Sequence, residues 1–260
     1  MTGGSPPPGV AWITGASSGI GAALAWRLAA DGWTVVATAR DEVALADVSA
    51  GAPGPGSVRA FSGDVTAPAA MERLVGRIEA ELGPIALAVL NAGVYLPVDG
   101  ANLDRALFER SIAVNLNGTI NTLIPVVAAM RPRRAGRIAV VSSVAGYRGL
   151  PTSAAYGATK AGLINLVESL KFDLDPLGIR LQLVTPGFVD TPATRANPFP
   201  MPHLVSVDAA ADRIAAGLAG NAFEITFPRR FTFQLKVLRM LPYALYFPLI
   251  ARATGWSKRG

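Results

Sequence analysis

Tyr156 and Lys160 stand four residues apart in the stretch Ser153-Ala-Ala-Tyr156-Gly-Ala-Thr-Lys160. On an α-helix that spacing puts both side chains on one face, a turn from each other. A tyrosine hydroxyl ionises near pH ~10 and is by itself a poor acid or base at neutrality. A cation held beside it favours the phenolate and lowers that pKa, the usual route to a tyrosine that transfers protons. Taken alone, the default reading of the pair is a Tyr and a Lys on a solvated helix face. Three further stretches change that reading, and the elements that carry them begin at the start of the chain.

A chain of 260 residues suits one α/β domain with a large core. Residues 1–9 (MTGGSPPPG) read as a disordered leader, with neither the basic start nor the apolar run of a signal peptide. There is no cysteine, which excludes disulfides and thiolate chemistry. The one histidine, His203, cannot make a His-rich metal site and reads as structural or incidental. Charge is unevenly placed. Residues 229–260 carry Arg229, Arg230, Lys236, Arg239, Arg252, Lys258 and Arg259 with no acid, while the rest of the chain holds 17 basic and 18 acidic side chains. The net +6 is therefore a property of the tail, and gives no ground for a nucleic-acid partner.

Val10–Ile13 reads as a short buried strand, followed at once by Thr14-Gly-Ala-Ser-Ser-Gly-Ile-Gly21 and an alanine-rich helix that Asp31-Gly32 stops near Ala30. A Gly-rich turn between a strand and a helix N-terminus aims backbone N–H groups and the helix dipole at an anion. Gly15 and Gly19 allow close approach of a pyrophosphate, and Gly21 lets the helix pack tightly on the sheet. Gly15, Ser17, Ser18, Gly19, Ile20 and Gly21 are thus candidate cofactor contacts. Gly15-Ala-Ser17-Ser-Gly19 also matches the G-x-S-x-G elbow of α/β-hydrolases, with Ser17 as nucleophile. Against that rival, so few residues precede it that no multi-strand sheet is yet built, and its only base would be His203 in a Pro-rich loop.

The second strand, Trp33–Ala39, ends at Arg40. In a dinucleotide-binding βαβ unit an acid at this strand end binds the ribose hydroxyls, whereas an arginine accommodates a 2′-phosphate. Arg40, with alanine at 39, favours NADP(H) over NAD(H); Asp41 is the competing residue unless it caps the next helix. After a Gly/Pro loop (Gly51–Ser57), a strand at Val58–Phe61 leads to Asp64-Val65, where Asp64 can accept from an adenine amino group. A helix over 68–82 and a strand at Ala86–Leu90 deliver Asn91-Ala92-Gly93, which can lie flat beneath a cofactor; a plain turn explains it equally well. A helix over 101–130 carries Asn115 in an apolar stretch, where a buried amide needs partners. Strand Arg137–Val141 places Ser142-Ser143 at its C-terminal end, thirteen residues before Tyr156. This strand–helix alternation argues for parallel crossovers, with ligands at the strand C-terminal ends.

Together TGASSGIG (14–21), DV (64–65), NAG (91–93), Asn115, Ser143, Tyr156-x3-Lys160 and Pro186-Gly187 resemble the short-chain dehydrogenase/reductase family, in its single-domain branch, over roughly residues 10–227. The resemblance implies a Rossmann-like doubly wound parallel sheet of about seven strands and hydride transfer between a nicotinamide and an alcohol or carbonyl. It assigns Tyr156 as general acid/base, and Lys160 to lower the Tyr156 pKa and hold the nicotinamide ribose. Ser143 would hydrogen-bond the carbonyl oxygen, and Asn115 would hold the water of a proton relay. Pro186, Gly187, Val189 and Thr191 would lie over the nicotinamide, Val189 meeting its carboxamide by backbone and Thr191 by hydroxyl. It also implies a homodimer or homotetramer. A catalytically silent NADP-binding scaffold of the same fold is the alternative, weakened by an intact tetrad.

Thr191–Val207 reads as a substrate lid, with Phe199, Met201, Leu204 and Val205 apolar and Arg195 and His203 polar; it favours an apolar carbonyl or alcohol substrate. Residues 223–227 read as the last strand, and residues 228–260 as a basic, apolar helical tail. In its first helix Thr232, Lys236 and Arg239 form a narrow polar stripe; Pro242 interrupts it before a second apolar stretch, Tyr243–Ala251, containing Pro248. No tail segment reaches the ~20 apolar residues needed to span a bilayer. The tail either packs on protein, closing the pocket or meeting another subunit, or lies in a membrane interface through residues 229–253. The expected location is cytoplasmic, peripheral at the membrane surface in the second case.

Overall fold

The computed structural model describes residues 9–194 and 201–256. Alternate residues of the first strand, β1 (Val10–Thr14), enter different cores: Ala11 and Ile13 pack on one side, Val10 and Trp12 on the other. A strand buried on both faces needs a parallel neighbour on each edge and helices above and below. Both are present. In chain order follow α1 (Gly19–Ala30), β2 (Thr34–Thr38), α2 (Glu42–Ala50), β3 (Ser57–Ala60), α3 (Pro68–Leu82) and β4 (Ile85–Leu90). Next are α4 (Arg105–Ser111), α5 (Gly118–Met130), β5 (Gly136–Val141), α6 (Ala154–Leu174) and β6 (Ile179–Pro186). The order ends with α7 (Val207–Ala219), β7 (Glu224–Phe227), α8 (Arg229–Arg239) and α9 (Tyr243–Ala253).

The seven strands form one parallel sheet in the order β3-β2-β1-β4-β5-β6-β7, the Rossmann-like arrangement expected. On one face α1 meets α7 through Ala22, Ala25, Ala29, Ala210, Ala211 and Ala215, small side chains that let the helices approach. On the other face Met71, Ile78, Leu163 and Val167 cover Trp12, Ala88 and Val140. The winding reverses between β1 and β4, and a crevice opens there beyond the strand C-terminal ends.

Several expected boundaries move for local reasons. Gly9, assigned to a disordered leader, joins the sheet instead, its carbonyl accepting from Thr34 N; residues 1–8 lie outside the described residues. The helix expected over 101–130 starts only at Arg105. Asp99 gathers Ala101 and Asn102 into a turn (3.0 Å each) and Asp104 caps the helix by accepting from Ala106 N at 2.9 Å. Its middle, Ile112–Asn117, widens into a π-helical turn carrying Asn115. The Arg105–Met130 run is long and apolar enough to cross a membrane by length and composition, but Leu123, Val126 and Met130 belong to the core.

Gly21 supports the turn in a different way from that expected. A Cβ there would lie 2.2 Å from the Gly15 carbonyl oxygen and 2.7 Å from Asn91 Nδ2, so the constraint is helix on turn rather than helix on sheet. Gly21→Ala is expected to destabilise the fold by about 1–3 kcal/mol through overpacking, read as a lower urea midpoint at unchanged slope. Unfolding at the wild-type midpoint would show that the turn relaxes freely.

Candidate active site

A cavity of about 630 Å³ occupies the crevice, lined by the Gly-rich turn, Arg40, Asp64, Asn91, Ser143 and Tyr156 among others. That size falls within the ~300–1,000 Å³ of small-molecule sites. At one end α1 starts at Gly19 with Ser18 as N-cap, and no side chain caps its first amides; these donors face an anion in a phosphate-binding turn. Gly15 and Gly19 have φ of +66° and +55°, the left-handed region that glycine adopts without strain. At Gly15 the tight neighbour is protein, since a Cβ would sit 2.7 Å from Ala92 Cα.

Arg40 is exposed on the rim. Asp41, its competitor for a ribose, is the N-cap of α2, accepting from Ala44 N at 3.0 Å. Asp64 lines the cavity while its Oδ1 accepts from Thr66 N and Thr66 Oγ1, each at 2.9 Å. Val65 beside it is buried, its carbonyl accepting from Asn121. Asn91 does more than lie beneath a ligand. Its Nδ2 donates to the carbonyls of Thr14 and Gly15, both at 3.1 Å, and Thr14 Oγ1 accepts from the backbone N–H groups of Asn91 and Ala92. The C-terminal ends of β1 and β4, which diverge here, are thereby cross-linked.

β5 ends at Ser142 and Ser143, and α6 carries Tyr156 and Lys160 on one face, as their spacing requires. Ser142 Oγ donates to the Lys160 carbonyl at 2.8 Å, fastening α6 to the strand end. Ser143 Oγ accepts from Ala145 N at 3.1 Å, and Ser143 and Tyr156 both line the cavity. Lys160 is 3 % exposed, and its Nζ donates to the Val141 carbonyl at 2.8 Å. A Cβ on Gly93 would come within 3.5 Å of that ammonium.

The pKa logic differs from the expectation. Burial pushes the Tyr156 phenol above its ordinary value, against a lowering contribution from Ser143. Lys160 Nζ, 5.6 Å from the Tyr156 ring centroid, is turned to Val141 and is not among the groups that lower the phenol. Burial instead lowers Lys160 itself, to about 8.

Asn115 is fully buried; its Oδ1 accepts from Val94 N at 2.7 Å, and its Nδ2 donates to the Val94 carbonyl (2.9 Å) and to Thr159 Oγ1 (3.1 Å). Both amide hydrogens are engaged, and the side chain holds the segment after β4 to α6. Pro186 and Gly187 end β6 at the cavity, with Gly187 N donating to the Phe227 carbonyl. Thr194 knots the segment that follows: its hydroxyl donates to the Val189 carbonyl at 2.6 Å and lies 3.2 Å from Thr191 Oγ1. Of the expected lid, Arg195 and Phe199 lie outside the described residues. His203 is exposed beside Phe231, with ring centroids 5.7 Å apart. No hydrogen bond joins it to Ser17 among the described residues, so no hydrolase pair is assembled.

Some residues of the site carried no motif. Tyr95 meets the Tyr156 ring edge-on at 5.1 Å and bonds Thr152 through its hydroxyl at 3.0 Å. Its place just after Asn91-Ala92-Gly93, at a strand C-terminal end, was the available signal. The tail contributes a wall: Phe231, Leu235 and Leu238 from α8, with Ile250 and Ala253 from α9 and Trp256 beyond it. The three residues of the expected polar stripe of α8 have different surroundings. Thr232 is 1 % exposed and Lys236 pairs with Glu224, while Arg239 alone of the three is exposed.

A parallel sheet with this switch-point cavity and a Ser–Tyr–Lys cluster defines a nicotinamide-dependent oxidoreductase. The family model described as short chain dehydrogenase matches residues 9–199, and the chain belongs to that family. It is 37 % identical over 238 residues to an uncharacterized oxidoreductase of Myxococcus xanthus, covering 91 % of this chain and 94 % of that one. It is also 37 % identical over 189 residues to the 3-oxoacyl-[acyl-carrier-protein] reductase FabG of Escherichia coli, covering 72 % and 76 %. The fold matches the crystal structure of levodione reductase with a TM-score of 0.80 at 23 % identity, over 88 % of this chain and 99 % of that one.

The two pKa shifts give a pH profile. The raised phenol keeps its proton well into alkaline solution, whereas Lys160 loses its charge as pH rises through about 8. Reductive kcat/KM is expected to be highest below that value and to fall above it, with Lys160→Arg moving the fall to higher pH. Tyr156→Phe should lose about 10²–10⁴-fold at every pH while retaining NADPH binding by fluorescence titration. An unchanged alkaline limb in Lys160→Arg, or near-normal turnover in Tyr156→Phe, would remove that residue from the role.

Proposed function

We propose that the chain is an NADPH-dependent reductase of a lipophilic ketone or aldehyde. The observation that carries this reading is the Ser143–Tyr156–Lys160 cluster facing a cavity walled by the apolar inner side of α8 and α9. The cradle fits the cofactor: uncapped amides at α1 for the pyrophosphate, Arg40 at the ribose end, and Gly93 beside Lys160, where a side chain would crowd the ammonium. A nicotinamide held by these residues would be the source of the hydride that the carbonyl carbon accepts. Ser143 donates a hydrogen bond to the carbonyl oxygen as negative charge develops on it. Tyr156 gives up its phenolic proton to that oxygen, so one O–H bond breaks as the alcohol O–H forms. The resulting phenolate is stabilised by the Lys160 ammonium on the same helix face. Asn115 positions Val94 and Thr159 around them. The silent-scaffold alternative has no comparable support, since all three reacting side chains converge.

The substrate class draws on the tail wall and on the E. coli relative, whose name describes a reductase of a 3-oxo group on an acyl chain. Exposed Ile112, Ile124 and Phe172 on the helices of one sheet face support a homodimer or homotetramer. Preference for NADP(H) over NAD(H) rests on Arg40 with Asp41 already occupied as a cap. A charge-assisted phosphate contact favours NADPH by about ten- to a hundredfold. Arg40→Ala, or Arg40→Ala with Ala39→Asp, should abolish that preference in kcat/KM, and equal use of the two cofactors by the wild type would overturn it.

The tail also supports a peripheral position on a membrane. Phe233 and Val237 of α8, Met240 just after it, and Tyr243, Leu245, Phe247 and Leu249 of α9 remain exposed. Arg229, Arg230, Arg239 and Arg252 are exposed on the same two helices, with no acid among residues 229–260. Apolar side chains flanked by arginines match an anionic bilayer surface. Flotation with phosphatidylglycerol-containing vesicles at low salt should carry the full chain, and high salt should release it. A full chain left in the soluble fraction, or Phe233→Ser with Phe247→Ser floating equally well, would rule the contact out.

A further inference from the structure

The wall that α8 and α9 supply to the cavity is fastened by three consecutive residues, Tyr147, Arg148 and Gly149, lying between Ser143 and Tyr156 in the chain. Arg148 is the centre of the fastening. Its Nη1 is within hydrogen-bond reach of the carbonyls of Leu238 (3.2 Å), Arg239 (3.0 Å) and Leu241 (2.6 Å). These are carbonyls at the end of α8, where intrahelical donors run out and the dipole presents negative charge. The guanidinium also lies over two aromatic rings of α9, 3.9 Å from the Tyr246 centroid and 4.7 Å from that of Tyr243. One side chain thus grips the end of one helix and the start of the next. Tyr246, 3 % exposed, donates its hydroxyl to the Gly149 carbonyl at 2.7 Å.

A second anchor lies a turn and a half back along α8. Lys236 forms an ion pair with Glu224 of β7, and the same carboxylate accepts from Tyr147 Oη and Thr185 Oγ1. Burial alone would push Glu224 up, but Lys236, Thr185 and Tyr147 together hold it below its ordinary value, so it stays ionised as the pairing requires. Leu150 and Pro151, next in the chain after Gly149, line the cavity themselves. The segment that links Ser143 to Tyr156 and the tail wall are therefore one fastened unit.

We propose that Arg148 is a specificity-determining positioning residue: it latches α8 and α9 over the apolar chamber, so that substrates long enough to reach the tail wall bind more tightly than short ones. Arg148 does not itself line the cavity. A planar, always-charged guanidinium is needed because the same group must bond carbonyls edge-on and stack on rings face-on. The specificity half of the proposal rests on the carbonyl-reductase reading above; the latch half does not.

The test uses the full chain with NADPH. Arg148→Gln removes the charge and the stacking, and Tyr246→Phe removes only the hydroxyl bond to Gly149, keeping the ring. Amide hydrogen exchange across residues 229–253 should accelerate about tenfold or more in Arg148→Gln, as expected for losing hydrogen bonds from a charged donor, and less in Tyr246→Phe. KM for decanal should rise by a similar factor in Arg148→Gln, with KM for propanal and kcat for both little changed. Wild-type exchange rates in both variants would overturn the latch. Faster exchange with KM for decanal and propanal altered equally would overturn the specificity role. If the wild type reduces neither aldehyde, the proposed reaction fails instead, and the exchange rates still decide whether Arg148 holds the tail.

Discussion

The site depends on how this sheet satisfies backbone groups where β1 and β4 part. Diverging strand ends leave N–H and C=O groups that no neighbouring strand can reach, and burying them unpaired is costly. Thr14 and Asn91 meet that demand reciprocally, one hydroxyl serving two amides and one side-chain amide serving two carbonyls. Asn115 repeats the device one layer on, pairing both polar groups of Val94. Side chains here stand in for the missing ladder. The crevice can stay open because its edges are closed chemically, and the Gly-rich turn, Gly93 and Tyr95 are all placed from those edges.

The second constraint is electrostatic. Lys160 is held in a desolvated position against a single carbonyl, with its pKa lowered accordingly. Among the described residues no carboxylate stands beside it in a hydrogen bond. An ammonium without a neutralising partner responds strongly to any negative charge formed near it. A nascent phenolate on Tyr156 is such a charge. The raised resting pKa of the tyrosine and the lowered one of the lysine share one cause, burial that disfavours the charged form of each.

Most of this was legible from residue order because the fold repeats one physical unit. Buried parallel strands read as apolar runs, and polar or glycine residues just past their C-terminal ends mark the site; Asn91, Ser143 and the 14–21 turn were found that way. Spacing also placed Tyr156 and Lys160 on one face. What spacing cannot show is which partner a polar group takes. Asn115 could be read as a buried amide in need of partners; that the partners are Val94 and Thr159, distant in sequence, only the folded chain shows. The same limit applied to the tail. Thr232, Lys236 and Arg239 formed a polar stripe on an apolar helix, and spacing could not show that Lys236 pairs with Glu224, whose carboxylate also accepts from Tyr147.

That anchoring has a physical consequence for the tail. A helix on an ordinary domain has one apolar stripe and buries it. Here α8 has two uses for apolar surface: Phe231, Leu235 and Leu238 face the cavity, and Phe233 and Val237, with Met240 just after the helix, face outward. Burial of the inner set accounts for the helix staying on the protein, since polar anchors between the two sets fix its roll. It does not account for the outer set. On a surface left in water those side chains, continued by Tyr243, Leu245 and Phe247, would cost solubility with no compensating contact. The inner set gains its burial from the cavity wall, and the outer set would gain the same only against a second apolar surface, whether of another protein chain or of a bilayer. The polar anchors hold α8 so that it presents apolar side chains on both sides at once.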